Sequence, residues 1–168
     1  MRSRILLCGI VVAALALGDT AGGLSWTTPS TWKRAGPKPM RVATYTVPPT
    51  AGDKEGGECA VNYFGQGQGG GIQANVDRWI GQFQQPTAKH SGKKTIHGLN
   101  VTTVDVIGAY MGMGGPMAAT HTPKNGYRLL GAIVEGPEGT VFFKFTGPLK
   151  TVVANQATFD KMLDTLKK

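Results

Sequence analysis

Met111, Met113, Met117 and His121 bring three thioethers and one imidazole into a stretch rich in glycine, proline and small residues. Donors of these two types suit Cu(I). Their spacing is irregular, and no regular element is expected between Met111 and Gly126 to hold them. Packing of the methionines over an exposed edge is the competing role. Copper is therefore the alternative reading of this chain, and the main reading needs no cofactor.

Gly65-x-Gly67-x-x-Gly70 follows an expected strand and opens an expected helix. In a dinucleotide site such glycines let the backbone approach a pyrophosphate at the helix N-terminus. The ribose-binding acid that belongs about 20 residues further on is missing. The strands that follow read as a hairpin, not as the second half of a βαβ unit. No nucleotide is expected, although amides opening the helix can hold another anion.

Catalytic groups are sparse. Beyond the first 18 residues the serines are Ser25, Ser30 and Ser91, and none stands in Gly-x-Ser-x-Gly. Cys59 lies inside an expected strand, where a buried, inert thiol is the default. Asp105, between Val104 and Val106, points away from them toward solvent or a polar cleft. Asp77, Asp160 and Asp164 read as helix surface charge. His90 and His97 flank Lys89-His90-Ser91-Gly92-Lys93-Lys94 without the spacing of a zinc site. That basic stretch reads as a loop able to meet an anionic surface. It lacks the interleaved aromatics of a single-strand nucleic-acid binder. No nucleophile is paired with a base, so a non-enzymatic protein is expected.

The elements that would position these residues begin after a leader. Arg2 and Arg4 precede an uncharged run from Ile5 to Gly18, the pattern of a signal peptide and too short to span a bilayer. Ala16-Leu17-Gly18 offers a cleavage site before Asp19, and Ala14-Leu15-Ala16 offers another. Cys8 comes too early for lipidation. The reading is a signal peptide over 1–18, a Trp/Pro-rich lead-in over 19–39 and one domain over 40–168. The mature protein is expected to be secreted or periplasmic, without a transmembrane anchor. Cys59 is then its only cysteine, so stability must come from a packed core. Loss of Arg2 and Arg4 leaves a net charge of about +6, which favours anionic partners.

Trp26 and Trp32 are expected to pin the lead-in onto the domain. Met40–Val47 and Glu58–Phe64 read as strands. Ile72, Val76, Trp79, Ile80 and Phe83 form one stripe of a helix that ends before Pro86. Thr87–Lys94 reads as a loop. Thr95–His97 and Leu99–Gly108 read as strands folded at His97-Gly98. Tyr127–Glu135 and Thr140–Thr146 form a hairpin around Gly136-Pro137-Glu138-Gly139. Phe159, Met162, Leu163 and Leu166 mark a last helix, with Asn155 as its expected N-cap. The order ββαββββα predicts an α+β fold, a mainly antiparallel sheet flanked by two amphipathic helices.

The segment Gly131-Ala-Ile-Val-Glu-Gly-Pro-Glu-Gly139, followed by Val141-Phe-Phe-Lys-Phe-Thr-Gly-Pro148 and the Phe159–Leu166 helix, resembles the closing hairpin and helix of PsbP-like domains. That fold is shared with the Ran-binding Mog-type proteins. The lead-in Trp26-x-x-Pro29-x-x-Trp32 and Met40-Arg41-x-Ala43 are similar to those of exported bacterial proteins of this style. The resemblance implies a sheet sandwiched by helices and an accessory or binding role. It carries no functional residue of PsbP onto this chain.

The leading expectation is an exported, non-enzymatic accessory domain that contacts an envelope protein or an anionic component. Trp32, Lys33 and Arg34, with Lys89, Lys93 and Lys94, are its expected contacts. Mass spectrometry of the protein from its native envelope should return a chain beginning at Asp19. A chain that retains Arg2 and Arg4 would rule the leader out.

Overall fold

The computed structural model describes residues 18–50, 52–112 and 122–168. The leader up to residue 17, and Met113, Met117 and His121, lie outside the described residues. The chain forms β1 (Gly18–Ala21), β2 (Leu24–Thr27), β3 (Lys33–Arg34), β4 (Ala43–Val47), β5 (Gly57–Tyr63), α1 (Ile72–Ile80), β6 (Phe83–Ile96), β7 (Leu99–Tyr110), β8 (Lys124–Gly136), β9 (Gly139–Pro148) and α2 (Leu149–Asp164). Strands β3 to β9 make one seven-stranded sheet in the order β3-β4-β5-β9-β8-β7-β6, and every pair is antiparallel. The α+β class, the mainly antiparallel sheet and its two helices are as the sequence predicts.

Alternation along each strand divides the core into two layers. On one face, Tyr45, Val61, Ala132, Val134, Phe143 and Phe145 pack beneath Phe159, Met162 and Leu163 of α2. The β1–β2 hairpin covers the rest of this face with Leu24 and Trp26. Gly22 and Gly23, with φ of +61° and +73°, give this hairpin the two positive-φ positions of a tight reversal. On the other face, Val104, Val106, Leu129, Ile133 and Phe142 pack beneath Val76 and Trp79 of α1. Gly131 permits that contact, because a Cβ there would fall 2.4 Å from Cζ3 of Trp79.

Both lead-in tryptophans are anchored as expected. Trp26 meets Phe143 edge-on at 5.1 Å between ring centres, and its Nε1 donates to the Tyr45 hydroxyl at 2.8 Å. Trp32 packs on Phe145 at 5.0 Å. The lead-in is more regular than its composition suggests, since it contains β1, β2 and β3.

Three expectations are corrected. Thr87–Lys94 is strand, not loop: Ala88 through Ile96 pair in register with Ile107 through Leu99 of β7. As the outermost strand, β6 has one neighbour and is mostly exposed, so its composition carries no apolar alternation. The α1 helix ends at Ile80, and Phe83 already belongs to β6. Helix α2 begins at Leu149, so Asn155 is interior and does not cap it. Asn155 instead donates from Nδ2 to the Thr151 carbonyl at 2.9 Å and accepts from Trp32 Nε1 at 3.1 Å.

The cap of α2 comes from far away in sequence. Asp53 Oδ2 accepts from the Thr151 amide at 2.8 Å and from the Thr151 hydroxyl at 2.7 Å. A carboxylate at this end satisfies an orphan amide and complements the helix dipole. Asp53→Ala should lower stability by about 1 kcal/mol in chemical denaturation, and Asp53→Asn by less. Equal stability of wild type and D53A would show that the cap contributes nothing.

Candidate functional site

The nine residues of α1 extend about 13 Å, whereas a seven-stranded sheet is about 29 Å wide. One short helix cannot cover such a face. Beyond α1, over β4, β5 and β9, a groove of about 920 Å³ remains. Its floor is formed by Thr46, Glu58, Ala60, Asn62, Lys144 and Thr146. These side chains alternate with Tyr45, Cys59, Val61, Phe143 and Phe145, which face the α2 layer. Tyr110 and Tyr127 line one side, stacked at 5.8 Å with ring planes 5° apart. Lys33, Arg41, Pro48 and Pro49 contribute elsewhere to the lining.

Most rim charges are already balanced. Lys124 pairs with Glu55 at 2.5 Å, and the Tyr127 hydroxyl donates to the same carboxylate at 2.9 Å. These bonds hold the Glu55 carboxyl below its usual range. Lys38 and Arg41 pair with Glu58 at 2.5 and 2.6 Å. Burial opposes ionisation of Glu58, but the bonds from Lys38 and Arg41 prevail and its pKa is lowered.

Lys144 is different. It is 9% exposed and, among the described residues, has no carboxylate partner. Its Nζ donates to Gln82 Oε1, lies 3.3 Å from the Tyr110 hydroxyl and sits 5.4 Å from the Tyr110 ring centre. Burial, with repulsion from Arg41 and Arg78 that Glu58 only partly offsets, pushes its pKa down from 10.5 to about 8. A shift of that size corresponds to a penalty on the order of 3 kcal/mol for the charged form. Two residues along the same face, Thr146 Oγ1 is buried without a hydrogen-bond partner among the described residues.

The contacts expected from sequence do not converge. Lys33 and Arg34 lie in β3 at one edge of the sheet, and Lys89, Lys93 and Lys94 in β6 at the opposite edge. Five strands separate the two groups. Trp32 is a core residue, 5% exposed, so it offers little surface to a partner. Arg34 is ion-paired with Asp19, while Lys33 is exposed at the groove. The register puts Lys89 and Lys93 on one face of β6 and Lys94 on the other. All three are exposed.

Of the copper candidates, Met111 follows β7 and is half-buried, while Met113, Met117 and His121 are outside the described residues. Among the described residues no three His, Cys, Asp or Glu side chains cluster as a metal site. The glycine-rich turn before α1 is held by Asn75, whose Nδ2 donates to the carbonyls of Gly69 and Gly71, each at 2.9 Å. Asp105 makes a two-point ion pair with Arg128, at 2.8 and 2.7 Å. Cys59 is fully buried, and burial pushes its thiol pKa far up. No helix among the described residues is long and apolar enough to cross a membrane.

No protein-family model and no curated protein matches the sequence. Solved structures do match. The solution structure of cyanobacterial PsbP (CyanoP) from Synechocystis sp. PCC 6803 aligns with a TM-score of 0.54 at 12% identity, covering 95% of this chain and 96% of that one. The fold is PsbP-like. The crystal structure of PA94, a Pseudomonas aeruginosa protein of unknown function, aligns with a TM-score of 0.51 at 13% identity, covering 86% of this chain and 90% of that one.

Within this PsbP-like frame, the sequence reading overlooked Lys144, Thr146, Arg41, Lys124 and the Tyr110–Tyr127 stack. One signal was present: Phe142-Phe143-Lys144-Phe145 sets a lysine among aromatics in a strand buried on both faces. The folded-state pKa of Lys144 lies below its unfolded value, so folding releases a proton between about pH 8 and 10.5. Stability should therefore rise with pH across that window and carry the full penalty below it. Lys144→Met should be more stable than wild type at pH 7 and should lose this rise, as measured by urea denaturation at several pH values. A destabilised K144M would show that the amine supports the fold.

Proposed function

We propose that this chain is an exported, non-enzymatic accessory domain that binds an envelope protein through the groove over β4, β5 and β9. The PsbP-like fold supports an accessory or binding role, as the sequence resemblance implies. The observation that carries the reading is Lys144. A lysine buried beside an open groove, without a carboxylate partner and at a stability penalty, marks a surface retained for binding. The groove also has an aromatic wall and, in Lys33 and Lys144, two cations without an acid among the described residues, which suits an amphipathic, acidic partner. Among the described residues, those that line it offer no nucleophile activated by a base, and the reading requires no cofactor.

The two edges of the sheet can be tested separately. Partners cross-linked in the native envelope are compared for wild type, for Lys33→Glu with Lys124→Glu at the groove, and for Lys89→Glu, Lys93→Glu and Lys94→Glu on β6. Exposed ion pairs contribute little to stability, so all three proteins should melt within a few degrees of one another. The groove variant should lose its cross-linked partner while the β6 variant keeps it. The reverse result would move the binding surface to the β6 edge.

A further inference from the structure

The groove has a chemically distinct inner end. Lys144 Nζ, Gln82 Oε1 and the Tyr110 hydroxyl form a small polar group there, with the Thr146 hydroxyl two residues along β9 on the same face. We propose that this end is a carboxylate-binding site, in which one acidic side chain of a bound protein segment is held between Lys144 Nζ and the Thr146 hydroxyl. The proposal rests on the groove being the binding surface and adds the chemistry of what it receives.

Three observations select that ligand. Among the described residues, Lys144 and Thr146 Oγ1 are the buried polar groups here with unmet capacity: one cation without an anion, and one hydroxyl without a partner. A carboxylate has two oxygens, one for each. The count of charges favours a single anion over a polyanion. Lys124 is matched by Glu55, and Lys38 and Arg41 share Glu58, which leaves Lys144 and Lys33 as the cations of the groove without an acid. A nucleic acid or a dense polyanion would also face the carboxylates of Glu55 and Glu58 in the same groove. Depth favours a protein segment over a lipid surface. Lys144 lies at the floor beside the Tyr110–Tyr127 stack, where a narrow side chain can reach and a flat headgroup layer cannot.

The site also sets a pH response. The groups facing Lys144 are Arg78 and Gln82 from the α1 end, Arg41 ahead of β4, Glu58 on β5 and Tyr110 on β7. Burial raises the Tyr110 pKa, so this phenol stays neutral through the range in which Lys144 titrates. A bound carboxylate stabilises the ammonium, so binding draws a proton onto Lys144 wherever the free amine is neutral. Affinity should fall about tenfold per pH unit above about pH 8.

The test is an NMR titration of the full mature chain, observing the Lys144 side chain and the backbone amides. The probes are acetate, inorganic phosphate and a capped hexapeptide carrying one glutamate. The glutamate peptide should shift Lys144, Thr146 and Tyr110 and raise the Lys144 pKa. Lys144→Met should weaken its binding about tenfold, and Thr146→Val about threefold. Tighter binding of phosphate than of acetate would overturn the carboxylate assignment. Peptide shifts at Lys33 and Tyr127, with unchanged affinity in K144M, would overturn the inner site and leave the groove standing. Shifts confined to Lys89, Lys93 and Lys94 would overturn both. No binding of any probe at millimolar concentration would overturn the site.

Discussion

The packing of β9 against the aromatic side chains above it is the constraint on which the rest of the structure depends. Phe143 and Phe145 lie beneath Trp26, Trp32 and Phe159, in ring contacts of 5.1, 5.0 and 5.9 Å. A one-residue slip of β9 would exchange its faces, so these contacts fix its register. They therefore also fix where Phe142, Lys144 and Thr146 point. The lead-in segment is held by the same contacts. Its hairpin is further tied through Trp26 and Asp19 to the Tyr45 hydroxyl, and through Ser25 to the backbone of Lys167.

With the register set, the groove follows from helix length. Helix α2 has sixteen residues and, helped by the β1–β2 hairpin, covers its face. Helix α1 has nine, and no other element among the described residues assists it over β4 and β5. Lys144 then falls at the boundary between the covered and open parts of that face. An apolar residue there would extend the α1 layer at no electrostatic penalty. The lowered pKa of Lys144 implies a penalty on its charged form near neutral pH in exchange for a cation inside the groove, the exchange expected where binding rather than packing dictates a residue. The ion pairs around Glu55 and Glu58 work in the opposite sense, leaving the rim nearly neutral and Lys144 and Lys33 as the groove's cations without an acid among the described residues.

Several elements were legible because their signals are local. The alternation from Leu99 to Gly108, the reversal at His97-Gly98, the Gly136–Gly139 turn and the stripe from Ile72 to Ile80 each repeat within a few residues. Others were not legible for equally physical reasons. Strand β6 is an edge, so its lysines and glycine look like a loop until β7 supplies hydrogen bonds. The cap of α2 is Asp53, 98 residues before its Thr151 partner, whereas the local start signal, Pro148, brings no side chain that caps the helix.

The sequence by itself determined most of the later strands, the presence of both helices, the fold class and the PsbP-like likeness, because hydrophobic periodicity and turn chemistry act between near neighbours. It also determined a basic chain without a recognisable catalytic set. Only the tertiary structure decided which polar residues share a surface. Sheet order sent Lys33 and Arg34 to one edge and Lys89, Lys93 and Lys94 to the other. The same order brought Arg41, Glu58, Lys124, Tyr127 and Lys144, from four separate stretches of chain, around one groove. Strand adjacency is a long-range property, set by which apolar faces bury together, and no local pattern records it.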